Sequence, residues 1–243
     1  MNYVNPKKNL GVFYVMFGYV KSIQYLCFTM EDMKTTQSIS EIHIQADLLY
    51  ATNRDEYQIY IESLSCDQMK SLDEHQRNER FTDPNFSYGA ERVTCLLAGK
   101  QHHDLGEKHG DDSSDNAEAK PEKTKNKKKP LSGNVSFADM SLEKIEQLTQ
   151  ADTEILSSGF FEGTCLYVVG IKMNQPSITE RLTEQFNSKM KKNQRRVLSF
   201  SRTQYCDSDS NNLYYINPKI ESFKESINKK QYEFLMNLQK LKK

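Results

Sequence analysis

The stretch "EIHIQADLLYATNRDEYQIYIESL", residues 41–64, decides how the first half of the chain folds. Ile42, Ile44, Ala46 and Leu48 alternate with His43, Gln45 and Asp47. After the polar turn "TNRDE", Tyr57, Ile59 and Ile61 alternate with Gln58, Tyr60 and Glu62. A period of two marks a strand with one face buried. The expectation is a β-hairpin with Tyr60 on its polar face.

Upstream lies "GVFYVMFGYVKSIQ", residues 11–24. Its uncharged run, Asn9 to Val20, is twelve residues, short of the roughly 20 that cross a bilayer as a helix. Lys21 interrupts it and no small-residue cleavage site follows, so neither a membrane span nor a secretion signal is expected. Val12, Phe13, Tyr14, Val15, Phe17, Tyr19 and Val20 are β-branched or aromatic and favour a pleated surface. Both faces of this strand are apolar, and Gly18 is where it bends to serve two walls of one core.

Downstream, Cys66, Met69 and Leu72 fall at helical spacing behind Ser65, predicting one short helix. "RVTCLLAG", residues 92–99, reads as a fourth strand ended by glycine. Residues 100–133 hold almost no large apolar side chain and read as a disordered insertion. Its charges are segregated: residues 104–115 carry five acids and one lysine, residues 117–130 six lysines and two glutamates. His102, His103 and His109 stand there beside Asp104, Glu107, Asp111 and Asp112, but without cysteine or a rigid frame they predict no metal site. "SLEKIEQLTQADTEIL" then suggests a helix through Ile145, Leu148, Ile155 and Leu156 that breaks near Asp152. "GTCLYVVGIKM", residues 163–173, supplies a fifth strand.

A glycine-bent strand, a hairpin, a short helix, a fourth strand, a long insertion and a fifth strand follow the order of an OB-fold. In that order, and in the phrase "FGYVKSI" of the first strand, residues 9–174 resemble OB-fold subunits of single-stranded-DNA and telomere complexes: small replication protein A-like and telomerase-accessory or recruiting proteins. The expected fold is therefore mainly β with α. It comprises a five-stranded barrel over 9–174, a disordered loop at 100–133 between strands four and five, and a helical extension over 175–243. The resemblance implies an intracellular, nuclear subunit of a nucleic-acid-handling complex.

The extension is read from its own residues. "PSITERLTEQFNSKM" contains Ser177 with Glu180 three residues on, a capping-box spacing, ahead of Ile178, Leu182, Phe186 and Met190 on one stripe. "RRVLSFSRTQYCDSDSNNLYYIN" looks like a hairpin turned at "DSDSNN". A last helix opens at Asn217 and Pro218, with Ile220, Ile227, Phe234 and Leu241 seven residues apart and Phe223, Leu235 and Leu238 widening the stripe. That stripe is longer than a small barrel covers. Ile220, Phe223, Ile227, Phe234, Leu238 and Leu241 are thus the expected contact with other protein subunits.

Charge changes along the chain. The whole molecule is neutral, with 33 basic and 33 acidic residues. From Lys172 onward, fifteen Lys or Arg face seven Asp or Glu, whereas residues 1–100 carry ten against thirteen. Lys189, Lys191, Lys192, Arg195, Arg196 and Arg202 gather beside Phe200 and Tyr205 without an acid among them. Cations interleaved with aromatics suit a groove that tracks phosphates and stacks bases, so these six, with Tyr60 on the barrel, are the expected contacts to single-stranded nucleic acid.

No HExxH, GxSxG or phosphate-binding glycine loop occurs, and His43 and His75 stand alone in sequence, so no catalytic residue, cofactor or metal is assigned. Cys27, Cys66, Cys95, Cys165 and Cys206 form no CxxC pair and read as reduced thiols. The expected function is a non-catalytic accessory subunit that docks proteins and contacts nucleic acid. The alternative is a protein-interaction scaffold with no nucleic-acid contact.

Overall fold

In the computed structural model, residues 13–14, 27–28, 37–78, 88–102, 117–150, 153–205 and 211–241 are described. At the N-terminal end, Phe13–Tyr14 (β1) pairs antiparallel with Cys27–Phe28 (β2). Gly18 and the remainder of the expected first strand lie outside the described residues.

The stretch that decides the fold is helical. Ile39–Thr52 (α1) and Arg54–Ser63 (α2) replace the expected hairpin. Ser38 and Glu41 form a reciprocal cap: Glu41 N–H donates to Ser38 Oγ at 3.3 Å and Ser38 N–H donates to Glu41 Oε2 at 2.7 Å. Asn53, extended at φ −153°, ends α1 and caps α2 by accepting from Glu56 N–H at 3.4 Å. Ile42, Ala46 and Leu72 bury a small apolar seam with Tyr60 between α1, α2 and Cys66–Asn78 (α3). The "RVTCLLAG" stretch is helical too as far as Leu97, in Tyr88–Leu97 (α4), with Ala98 and Gly99 in the turn that follows.

A four-stranded mixed sheet forms the centre. Its strands are Ala117–Thr124 (β3), Glu154–Phe161 (β5), Thr164–Lys172 (β6) and Asn211–Ile216 (β8), in the order β3-β5-β6-β8. β3 runs parallel to β5, and the other two pairings are antiparallel. β5 and β6 are joined by Glu162 at φ 49° and Gly163 at φ 82°, the two left-handed positions of a hairpin turn matched to strand twist. Every residue from Ile155 to Phe161 and from Cys165 to Ile171 is buried, as central strands covered on both faces must be.

α1 and α4 cover one face, around Val93, Phe160, Cys165 and Val168. α4 is also pinned to β5 by a buried 2.6 Å hydrogen bond between the hydroxyls of Thr94 and Ser158. The other face holds the main core, formed with Leu142–Gln150 (α5), Pro176–Lys191 (α6), Lys229–Leu241 (α8) and a two-stranded ribbon. That ribbon pairs Asn134–Phe137 (β4) with Leu198–Ser201 (β7). The four-residue Arg202–Tyr205 (α7) follows β7 directly, and a 3-10 helix over Ile220–Ser226 precedes α8.

Three expectations fall with this topology. Among the described residues there is no five-stranded OB-like barrel and the protein is not mainly β: the sheet is open, with β3 and β8 at its two ends, and helices are numerous. The insertion is partly structured, because β3 pairs along its whole length with β5 and buries Ala117 and Ala119. Backbone pairing and two methyl groups suffice there, so the strand needs no large apolar side chain. The downstream hairpin separates, with β7 joining β4 and β8 joining β6. Among the described residues, no helix is long and apolar enough to cross a membrane.

Candidate functional site

The exposed basic turn stands at the end of α6. Asn193 adopts φ 48°, its N–H donates to Met190 O at 3.1 Å, and Gln194 N–H donates to Lys189 O at 3.0 Å. These two bonds are the pair that closes a Schellman motif. Beyond it the chain is anchored where Met140 N–H donates to Arg196 O at 3.2 Å. Ser199 N–H donates to Gln185 Oε1 at 3.0 Å, which ties the start of β7 to α6.

On this frame Lys191, Lys192, Arg195 and Arg196 are exposed and Lys189 is half-buried. Arg195 reaches Asp139 at 3.5 Å, with both side chains largely in solvent, so the pair contributes little. Met190 and Val197, 53% and 37% exposed, put apolar surface beside the cations. Lys189 and Lys191 also suit the negative end of the helix electrostatically.

The other predicted nucleic-acid contacts are elsewhere. Tyr60 lies on α2 in the helical layer over the opposite sheet face; it is buried and donates to Gln37 Oε1 at 3.3 Å. Burial pushes its phenol up to about 12. Phe200 is buried against Phe137, with ring centres 6.3 Å apart, and Tyr205 packs on the core under Arg181. Among the described residues no aromatic platform accompanies the turn.

Arg202 departs furthest from expectation, being the largest fully buried side chain described. Its guanidinium carbon sits 5.1 Å from the ring centre of Tyr167 and 5.6 Å from that of Phe234. None of its Nε, Nη1 and Nη2 makes a well-formed hydrogen bond to a described protein group, nor do Gln231 Nε2 and Gln231 Oε1; the guanidinium and Tyr167 Oη meet each other only in poor geometry, close enough to lower the phenol pKa. Glu122, whose field reaches Tyr167, spends both carboxylate oxygens on Ser132 and Gly133: it accepts from Ser132 N–H and from Gly133 N–H, each at 2.8 Å. Burial raises the Tyr167 phenol pKa, and the neighbouring guanidinium opposes that rise. Each cation–π contact contributes about 0.5–2 kcal/mol. Withdrawing a cation from water costs several kcal/mol, and each orphaned donor adds about 1–3. The two rings do not offset that.

The C-terminal stripe is used by the chain itself. Ile220, Ile227 and Leu238 are buried in the main core, Phe223 lies against Phe161 with ring centres 6.1 Å apart, and Phe234 packs on the same core. Only Leu241 of the six expected partner contacts is exposed, at 71%. The stripe that looked too long for a small barrel is covered by a three-layer fold.

Sequence reasoning also missed a cluster joining α1, α3 and α4. His43 and Asp47, four apart on α1, meet Ser71 and His75, four apart on α3. His75 Nε2 is 2.8 Å from Asp47 Oδ2, Arg92 Nε donates to the same oxygen at 2.9 Å, and His43 Nε2 is 3.1 Å from Ser71 Oγ. The carboxylate orients His75, whereas the hydroxyl faces His43, so no serine–histidine–acid relay is aligned. Among the described residues no group of three or more His, Cys, Asp or Glu is placed to hold a metal ion. Cys95 and Cys165 are buried and Cys66 is exposed, none of them in a disulfide.

No protein-family model, curated protein or solved structure matches the chain.

Proposed function

We propose that the chain is a non-catalytic binding module whose basic turn, residues 189–196, contacts the backbone of a single-stranded nucleic acid. One observation carries the reading: a hydrogen-bonded turn presents Lys191, Lys192, Arg195 and Arg196 to solvent with one carboxylate engaged among them. Contacts are to phosphate and independent of sequence, since Tyr60 and Phe200 are buried and the half-buried Tyr205 packs on the core beside Arg181. A nuclear location belongs with this reading.

Four phosphate contacts on a single strand give a log affinity that falls with log salt at a slope of about −3. Fluorescence anisotropy with a labelled oligonucleotide checks this. Arg195→Glu with Arg196→Glu should flatten the slope by about half, given roughly 0.7 per contact. A slope unchanged by the double variant would sink the proposal. The exposed Met190 and Val197 favour a second reading, in which the turn docks an acidic protein segment without nucleic acid. In that case oligonucleotides fail to bind, and the same double variant releases the protein partner.

A further inference from the structure

We propose that Arg202, Tyr167 and Gln231 form a closed site for hydrogenphosphate. Three elements converge there: α7 brings the guanidinium, β6 the phenol and α8 the carboxamide. All three residues are buried, and the polar atoms at their tips make no well-formed hydrogen bond to a described protein group, Arg202 and Tyr167 meeting only in poor geometry.

Two glycines let the Gln231 amide and the Tyr167 ring pack directly on the backbone. A Cβ on Gly133, itself at φ 72°, would come within 3.1 Å of Arg202 Nη2 and collide with the Gln231 amide. A Cβ on Gly159 would lie 2.8 Å from Tyr167 Oη. Any other residue at either position displaces the groups that make the site.

The donor set selects the ligand. A planar guanidinium matches the spacing of two oxygens on one phosphorus, and a phenol O–H and an amide N–H supply donors from other directions. A negative ligand also neutralises the buried cation, which an internal water does not. Gln231 Oε1 is an acceptor in need of a donor, and the P–OH of hydrogenphosphate provides one. Sulfate, fully deprotonated near neutral pH, has none.

The site is independent of the basic turn, so its failure leaves the nucleic-acid reading intact. The full chain is unfolded in guanidinium chloride and refolded in phosphate, sulfate or chloride at equal ionic strength; one portion is melted in its refolding salt and another is dialysed for ligand assay. Acid release followed by phosphate assay should give about one phosphate per chain. The phosphate-refolded protein should melt about 5–10 °C above the chloride-refolded one, as a ligand at about 100 times its Kd stabilises a chain of this size. Sulfate should give a smaller rise. Arg202→Met should carry no phosphate and melt alike in all three salts. Tyr167→Phe, which keeps the ring, should fold and shrink the phosphate-specific rise even if the arginine variant does not fold. Less than about a tenth of a phosphate per chain with no phosphate-specific rise overturns the proposal and leaves an internally hydrated arginine. An equal rise in Arg202→Met overturns it as well, since anions then act as general stabilising salts.

Discussion

The imidazole of His43 lies flat on that of His75, with ring centres 4.2 Å apart and planes 11° from parallel. Burial, and then the charge His75 can carry, hold the His43 pKa below its ordinary value, with Arg92 adding to the effect and Asp47 opposing it. A histidine depressed in the folded state takes up its proton more readily when the chain unfolds. Stability therefore falls as the pH drops below about 6.5 and levels off once the folded-state pKa is passed. Melting curves from pH 8 to pH 5 should show this fall, and His43→Gln, which can still reach Ser71, should remove part of it. Superimposable pH profiles for the two proteins would exclude His43 as the source.

Asp47 is fully buried and binds both His75 and Arg92. Asp47→Ala leaves the guanidinium and imidazole without their acceptor. Urea unfolding should show a loss of about 3–5 kcal/mol, the usual result of breaking a buried ion pair from one side. A loss under about 1 kcal/mol would show that water already supports this cluster.

β3 is part of the sheet despite its composition. Replacing residues 117–124 with a Gly/Ser linker of equal length removes the parallel pairing to β5 and uncovers Leu156, which packs with Ala117 and Ala119. The expected outcome is a lower melting temperature and faster amide exchange along β5. An unchanged melting temperature would return this stretch to the solvated insertion suggested by its lysines.

Leu238→Ala should cost about 2–5 kcal/mol by chemical denaturation, because its side chain is enclosed by the chain's own core. Leu241→Ala, one turn on and exposed, should cost under about 0.5 kcal/mol. Equal costs for the two would mean that α8 is held some other way.

How much of this was legible depends on which physical signal each segment carried. "CLYVVGIK" is a buried strand as its β-favouring composition predicts, and of the stripe Ile178, Leu182, Phe186 and Met190 the first three are buried and Met190 is exposed. Ser38-Ile-Ser-Glu41 has the capping spacing, yet the alternation after it pointed to a strand; helix and strand templates both accept apolar residues at positions 42, 44, 46 and 48. The same spacing at Ser177 and Glu180 misled in the opposite direction. Helix α6 begins at Pro176 with no side-chain cap, and Ser177 Oγ instead donates to Tyr205 O at 2.7 Å. Pro176 was the better start signal there. β3 was hidden because Ala117 and Ala119 are small and their neighbours charged; its burial comes from a partner strand more than thirty residues away. Arg202 stood among exposed cations and resembled them. Nothing local distinguishes it, since its burial follows from β7 pairing with β4 across a gap that no window of sequence spans.

The last of these long-range arrangements bears on how the protein is made. Tyr232, Leu235 and Leu238 of α8 close the main core over strands that were synthesised long before them. At a few to about twenty residues per second, the β5–β6 hairpin leaves the ribosome several seconds ahead of the helix that covers it. During that interval Tyr167, Val169 and Ile171 lack the part of their cover that α8 supplies. Nascent chains stalled between residues 172 and 229 should therefore bind holdase chaperones and be cut readily by protease, and chains released past residue 241 should resist both.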